Sequence, residues 1–359
     1  MRRLIRLHID TQALRANLAI LRQRAPRSRV MAVIKANAYG HGLVSTALAL
    51  AEADAFAVAR IEEAVQLRAA GVRQPLLLLE GVYGREQLLE AAALQADLVV
   101  HNPLQLALLQ EYRGAHRFSL WVKIDTGMNR LGFRPEQFAA VWQRLQQLTP
   151  APLQLRAITH FSRADELDSD ASAAQLARFW PLVQSLGVEL SIANSAGILA
   201  HPASHVHWVR PGLALYGVSP FADRIGSQLG LKAAMTLEST VLTLREVAAG
   251  ESVGYGARWR ATRPSRVAIV AGGYGDGLLC SLPDGAPVLV NGRRARLVGR
   301  VSMDMSAVDV TDLEHVPAVG DAVELWGHQL PVEEVARHAG TIPYELLCAV
   351  SQRVPVELF

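Results

Sequence analysis

The chain holds 36 basic residues, of which only Lys35, Lys123 and Lys232 are lysines; arginine fills the rest. A plain positive charge is written here as arginine almost everywhere, so a retained lysine asks for a chemical reason. Lys35 closes the apolar run VMAVIK. A lysine at the end of a buried strand is costly unless a pocket uses it, and an apolar setting lowers the pKa of its amine. A neutral amine can attack a carbonyl and form a Schiff base, which a guanidinium cannot do. The bland alternative is a solvated strand-end lysine with a packed stem. Lys123 closes a second apolar run, FSLWVK, in the same way, while Lys232 has no such context.

Other apolar runs also stop on polar, reactive side chains. The closing residues are Lys35, Arg60, Glu80, His101, Lys123, His160, Ser195 and Arg210. The runs are VMAVIK, AFAVAR, PLLLLE, DLVVH, FSLWVK, LQLRAITH, LSIANS and HVHWVR. Between most of them lie amphipathic helical patterns such as LVSTALALAEA, IEEAVQLRAAG and EQFAAVWQRLQQL. Alternating β and α elements imply a parallel sheet. Eight such strands fit a (β/α)8 TIM-type barrel, with an extra leading helix near residues 11–24, and reactive residues at the strand ends are what its catalytic face needs. A doubly wound open sheet would also gather ligands at strand ends and is the alternative fold. The connection between the last two runs, GILAHP, is short.

After about residue 235 the helical patterns nearly vanish. TLESTVLTLREV, SRVAIVAG, PVLVNGRRARLVGR and AVELWG read as strands, and Asn291-Gly292 is a two-residue hairpin signal. A short helix, VEEVARHAG, follows. The expected division is a barrel over residues 1–232 and a mostly β domain over 233–359.

Composition narrows the function classes. With 50% hydrophobic and 19% charged residues the chain is globular rather than disordered. A net charge of +3 with no dense basic block gives no reason to expect nucleic acid. Cys280 and Cys348 make no disulfide framework and no metal spacing, which favours a reducing compartment. The start MRRLIRLHID is basic, but Arg6, His8 and Asp10 break its apolar run, so it does not read as a signal peptide. No apolar stretch reaches transmembrane length. A cytoplasmic protein is expected.

AVIKANAYGHG (32–42) resembles the cofactor-lysine motif of bacterial alanine racemases. The resemblance continues in order through KIDTGMNRLGF, THFSRADE, ANSAG, VRPGLALYG, VGYGARW, GGYGDG, VGRVSMDM, TIPYELLC and RVP, and so spans essentially the whole chain. It implies a barrel followed by a β domain, which agrees with the reading above, and a homodimer that racemises alanine with pyridoxal 5′-phosphate (PLP).

The resemblance also implies roles for particular residues. Lys35 would hold PLP as a Schiff base and serve as one base; Tyr255 of GYGAR, acting from the partner subunit, would be the other. Tyr39, Ser195, Tyr344 and the amides of Gly212 and Leu213 would meet the phosphate. Arg210 of VRPG would face the pyridine nitrogen. An arginine can only donate, so that nitrogen would stay unprotonated. His160 would stand between Tyr255 and Arg210. Arg130 would contact the cofactor's phenolic oxygen and the substrate carboxylate, oriented by Lys123 as a candidate carbamylated lysine. The Met303 amide, on the SMDM segment that would enter the partner's site, would also meet the carboxylate. Asp165, Tyr274, Arg300 and Asp304 would belong to the entrance.

One position departs from the family. After GYGDG an aromatic, a proline and an arginine are usual, but Leu278, Leu279 and Cys280 stand here. Cys280 therefore replaces an entrance arginine, which implies altered access or substrate breadth. A broad-specificity or serine racemase is the near alternative. A decarboxylase of similar layout would place an acid, not Arg210, at the pyridine nitrogen. A non-catalytic PLP-binding protein would lack the β domain. Whether the D-alanine would serve peptidoglycan or the enzyme alanine catabolism is open.

Overall fold

The computed structural model describes residues 3–359; Met1 and Arg2 of the basic start lie outside the described residues. A short strand β1 (Arg6–Ile9) and the helix Thr11–Arg24 precede the expected alternation. The strands β2 (Arg29–Val33), β3 (Ala55–Val58), β4 (Leu76–Leu78), β5 (Ala96–Val100), β6 (Ser119–Lys123), β7 (Gln154–Ile158), β8 (Leu190–Ser191) and β9 (Trp208–Val209) close into one parallel barrel. Registers such as Ala57 opposite Leu77 and Val122 opposite Ala157 run around it, and Val30 opposite Val209 closes it. The open-sheet alternative is thereby excluded.

The strands form because both of their faces are covered. Val30, Met31, Ala32 and Val33 are all buried, as are Leu76, Leu77 and Leu78, giving continuous apolar runs rather than alternation. The covering helices show the complementary pattern. Helix Pro135–Gln146 buries Phe138, Val141, Trp142 and Leu145, one stripe at helical spacing, and starts on a proline. Helix Ala171–Val183 buries Ser172, Gln175, Phe179 and Val183, so a glutamine sits inside its apolar stripe. The GILAHP connection runs from the end of the helix Ser195–Ala200 into a 3-10 turn at Pro202–Ser204.

The chain divides into two compact units. The barrel unit is Asn17–Ala38 with Gly42–Leu215; the other holds Tyr39–His41, Tyr216–Phe359 and the N-terminal residues through Ala16. This cut differs from the one expected at 232/233, and it takes β1 out of the barrel's unit. The reason is pairing: β1 lies antiparallel to β10 (Met235–Val247) and parallel to β18 (Val356–Leu358).

Within the second unit, β10 pairs both β17 (Ala322–Trp326) and β13 (Ser265–Ala271), so the mostly antiparallel sheet returns on itself through β14 (Pro287–Val290), β15 (Arg293–Val298) and β16 (Met305–Asp309). A small ribbon of β11 (Ser252–Val253) and β12 (Trp259–Arg260) stands apart from that sheet. Asn291 and Gly292 both take positive φ, 49° and 74°, and join β14 to β15 as the hairpin signal requires. Helices Val332–Ala339 and Pro343–Ala349 complete the unit; the second was not read from the sequence.

Candidate active site

At the carboxyl end of β2 the backbone does something rare. Ala36, Asn37, Ala38 and Tyr39 all have φ near +53°, a left-handed turn made by non-glycine residues directly after Lys35. Such conformations are strained and persist only where surroundings hold them. Glu63 is one clamp. Its carboxylate accepts from the Ala36 N–H at 2.6 Å and from the N–H groups of Ala59 and Arg60 at 2.9 and 3.1 Å. Asn37 is another, its Oδ1 accepting from Leu43 N–H at 2.8 Å. Lys35 is thus fixed by the ends of two neighbouring strands.

Lys123 ends β6. Burial, then the charges of Arg210 and Arg130, push its amine down to about 7, with Lys35 adding to the repulsion and Asp125 opposing it. Arg130 follows a tight loop in which the Asp125 carboxylate accepts from Gly127 and Asn129 N–H groups at 3.1 and 3.0 Å. His160 lies two residues beyond β7, and burial holds its pKa well below the usual value, reinforced by Arg210, Lys123, Arg130 and Lys35.

Arg210, after β9, is 4% exposed. Its guanidinium donates to Ser191 Oγ at 2.5 Å and to the carbonyls of Thr159 and Ile192 at 2.7 and 3.3 Å, and lies 3.2 Å from His160 Nδ1. Burial lowers its pKa to about 9, and it remains a cation at neutral pH. Ser195 opens its helix, with Asn194 accepting from Gly197 N–H at 2.9 Å. Ser195 Oγ accepts the N–H groups of Gly212 and Ala214 at 3.0 and 3.2 Å, which leaves its own hydrogen to donate. The Gly212 amide, expected to face a phosphate itself, donates here to Ser195 Oγ. Leu213 lies next to it, 1% exposed.

The barrel unit therefore gathers Lys35, Lys123, Arg130, His160, Ser195, Arg210, Gly212 and Leu213 at strand ends. Four basic side chains, Lys35, Lys123, Arg130 and Arg210, interact there, with the Asp125 carboxylate opposing them. That donor set suits an anionic ligand with a carbonyl for Lys35, and PLP and an amino-acid carboxylate are of that kind. Asp165 is exposed on the loop after β7.

The second unit holds the remaining expected residues in separate groups. Tyr39 is buried, with its ring 4.9 Å from Tyr216 and 5.7 Å from Tyr344, and burial together with Tyr344 and Cys348 raises its pKa. So the two tyrosines expected at the phosphate do meet. Tyr255 is 70% exposed on the 3-10 turn Tyr255–Ala257. Met303 and Tyr274 are exposed, and the turns that carry them are stitched together: Tyr274 N–H reaches Ser302 O at 3.0 Å and Gly275 N–H reaches Met303 O at 2.9 Å. Arg353 of RVP binds Asp276 through two hydrogen bonds, of 2.7 and 2.9 Å, and Asp304 through one of 2.8 Å. Cys280 is half-buried, its Sγ donating weakly to Val301 O at 3.7 Å, and Arg300 is exposed.

Sequence reasoning passed over Glu63, Gln175, Thr126, Thr159 and Ser191, all of which hold the residues above. The signal available for Gln175 was its place in a buried helix stripe.

Comparison with known proteins agrees with this arrangement. The family described as alanine racemase, N-terminal domain, matches residues 9–220, and alanine racemase, C-terminal domain, matches residues 234–358. The chain is 50% identical to the alanine racemase of Shewanella amazonensis over 98% of each chain, and 47% identical to that of Vibrio cholerae over 98% of this chain and 97% of the other. Its fold is similar to the biosynthetic alanine racemase of Pseudomonas aeruginosa, with a TM-score of 0.97, 46% identity and full coverage of both chains. It is also similar to the Bartonella henselae alanine racemase, solved with covalently bound pyridoxal phosphate, with a TM-score of 0.90, 32% identity and full coverage of both. The chain belongs to the alanine racemase family, isomerases that interconvert the two enantiomers of alanine.

Proposed function

We propose that this alanine racemase works as a homodimer with PLP on Lys35, and exchanges the α-proton between two bases, Lys35 on one face and Tyr255 of the partner subunit on the other. The observation that supports it most is the mutual arrangement of Arg210 and His160. A buried guanidinium that can only donate is aimed at Nδ1 of a histidine held neutral.

Ser195, Tyr39 and Tyr344 would hold the phosphate, with Leu213 N–H beside them and Gly212 N–H acting through Ser195. PLP, when bound, supplies an electron-withdrawing system that makes the substrate's α-hydrogen removable as a proton. Arg210, which can only donate, would leave a ring nitrogen placed against it unprotonated, and the ring would then withdraw electrons less strongly, which suits reprotonation over side reactions. Arg130 and the N–H of the partner subunit's Met303 would hold the substrate carboxylate. The proton taken at one face by the Tyr255 oxygen is matched by one returned to the other face from the Lys35 nitrogen, and the reverse direction exchanges those tasks. His160, neutral, stands ready to hydrogen-bond the Tyr255 oxygen, and the cations behind it favour the phenolate. Carbamylated Lys123 would orient Arg130.

Cys280 in the entrance, with Asp165, Tyr274, Arg300 and Asp304, favours a second reading in which serine or other small amino acids are also accepted. Its two cysteines, with no disulfide framework, support placement in a reducing, cytoplasmic compartment. The product supplies peptidoglycan or the enzyme serves alanine catabolism.

The test is the absorbance spectrum of purified protein before and after borohydride, with peptide mapping. A band near about 420 nm, with label trapped on Lys35, is expected for a protonated lysine imine of PLP. Loss of alanine racemisation in Tyr255→Phe with the band retained supports the second base. Unchanged turnover in that variant would leave a one-base mechanism, and no band after added PLP would remove the cofactor reading.

A further inference from the structure

Gln175 lies on the helix Ala171–Val183, 2% exposed, with every hydrogen-bonding capacity of its amide used. Nε2 donates to Thr126 Oγ1 at 3.1 Å and to the His160 carbonyl at 3.0 Å. Oε1 accepts from Ser162 N–H at 2.9 Å and Ser162 Oγ at 3.1 Å. The reverse orientation of the amide would set its NH2 against the Ser162 N–H and its oxygen against the His160 carbonyl, so the network admits one orientation.

Two threonines carry the contact further. Thr126 Oγ1 lies 2.8 Å from Thr159 Oγ1, and Thr159 Oγ1 donates to the Ile124 carbonyl at 2.9 Å. Each hydroxyl has one hydrogen, so the chain runs in one direction, from Gln175 N–H through Thr126 and Thr159 to the end of β6. The Thr159 carbonyl also receives Arg210. Arg178, one helical turn beyond Gln175, donates to the Thr126 carbonyl at 2.9 Å.

We infer that Gln175 is a positioning residue for catalysis: one buried amide that sets, together, the exit of His160 from β7, the Thr126–Arg130 loop and the start of the Ser162–Asp165 loop. The inference rests on the roles proposed above for His160 and Arg130. A stripe built only for packing would carry leucine or methionine here. A buried amide is tolerated because all four of its bonds are made, and three of its partners lie on segments that carry proposed site residues. Gln175 touches neither substrate nor cofactor and acts through the backbone of others.

The test uses the holoenzyme. Gln175→Met keeps the volume and removes all four hydrogen bonds. It should raise KM for alanine roughly tenfold or more, since a displacement of about 1 Å in a positioned group costs that much or more. It should also shift the acid limb of the kcat/KM–pH profile, both measured well below the variant's Tm. Thr126→Val should move the same quantities in the same direction, and Thr126→Ser, which keeps the hydroxyl, should return them to wild-type values. A Gln175→Met enzyme with lowered Tm but wild-type KM and pH profile overturns the inference, as does Thr126→Val no worse than Thr126→Ser. Arg130→Ala separates the two levels. If it leaves KM unchanged, the assigned role of Arg130 is wrong, and Gln175 is then judged on the pH profile alone.

Discussion

His160 Nδ1 lies 3.2 Å from the Arg210 guanidinium. Because a guanidinium has no acceptor, Nδ1 must carry the lone pair, and the ring hydrogen sits on Nε2. Burial and the surrounding cations act the same way, holding His160 neutral. Its folded pKa is depressed, so below about 6.5, the ordinary value, the unfolded chain takes up a proton that the folded chain refuses. This contribution to stability is thus present above that pH and declines as pH falls through it. Nitrogen NMR should show His160 with a bare Nδ1 and a protonated Nε2 down to at least pH 6. A doubly protonated ring at neutral pH would contradict the arrangement.

Lys123 follows from the same cluster. With a folded pKa of about 7, it is about half neutral at that pH, against about 10.4 for a free lysine. Left unmodified, its deprotonation makes the fold more stable as pH rises from about 7 to about 10, because the unfolded chain still binds the proton there. A neutral amine can instead add to carbon dioxide, forming an N–C bond and releasing one proton, which turns the repelled cation into an anion facing Arg130. Enzyme equilibrated with carbon-13 bicarbonate should show a carbamate carbon signal that Lys123→Met removes, with KM for alanine raised about tenfold in that variant. Absence of the signal in wild-type protein would leave Lys123 an unmodified amine.

Cys280, which we assign to the entrance, donates weakly from its thiol to the Val301 carbonyl. Cys280→Arg restores a cation at the entrance. Alanine racemisation should persist, while the ratio of kcat/KM for alanine over serine should change by about tenfold, the scale on which a pocket tells small side chains apart. An unchanged ratio would show that this position does not set substrate breadth.

Gly40 sits between Tyr39 and His41 with φ of +82°, and a Cβ there would lie 2.1 Å from the Leu347 carbonyl oxygen. Neither the backbone angle nor the contact admits a side chain. Gly40→Ala should cost about 2–4 kcal/mol and disturb the Tyr39–Tyr344 contact behind it, seen as a lowered Tm and faster loss of PLP on dialysis. A wild-type Tm would mean the turn relaxes without effort.

The barrel was legible because most of its strands are buried on both faces and so read as near-continuous apolar runs stopped by a polar residue. VMAVIK, FSLWVK and LQLRAITH delivered Lys35, Lys123 and His160 to one end for that reason. β1 was not legible. Its four residues RLHI alternate, with Leu7 and Ile9 buried, but the partners that make it a strand are Met235–Glu238 and Val356–Leu358, far away in sequence. Strand β16 begins inside SMDM, where Met305 is exposed and the run is short. Among site residues, those that act with their own side chains at strand ends were visible, and those that act on backbone from helices were not. Glu63 looks like an ordinary acid in a first helical turn, and Gln175 like a surface glutamine, until the turn at Ala36 and the carbonyl of His160 are placed beside them.

Arg353 ties the C-terminal RVP segment to the turns that carry Met303 and Tyr274. Asp276 is buried, at 4% exposure, and takes two hydrogen bonds from Arg353 besides the Gly273 N–H at 2.9 Å, while Asp304 takes a third. The guanidinium also fills the space where a Cβ on Gly275 would stand, at 2.9 Å, so Gly275 is needed for the fork to fit. Arg353 is itself about half exposed, so water screens these pairs. Arg353→Gln should then lower stability only slightly, read as a small drop in Tm. The larger effect should fall on KM, because the Met303 turn loses the partner that orders Asp304 and Asp276 together. Arg353→Lys keeps the charge but not the planar fork, so it should fall between wild type and Gln. If Arg353→Gln and wild type share one KM, the turn is held by its backbone bonds to Gly275 and Tyr274 alone.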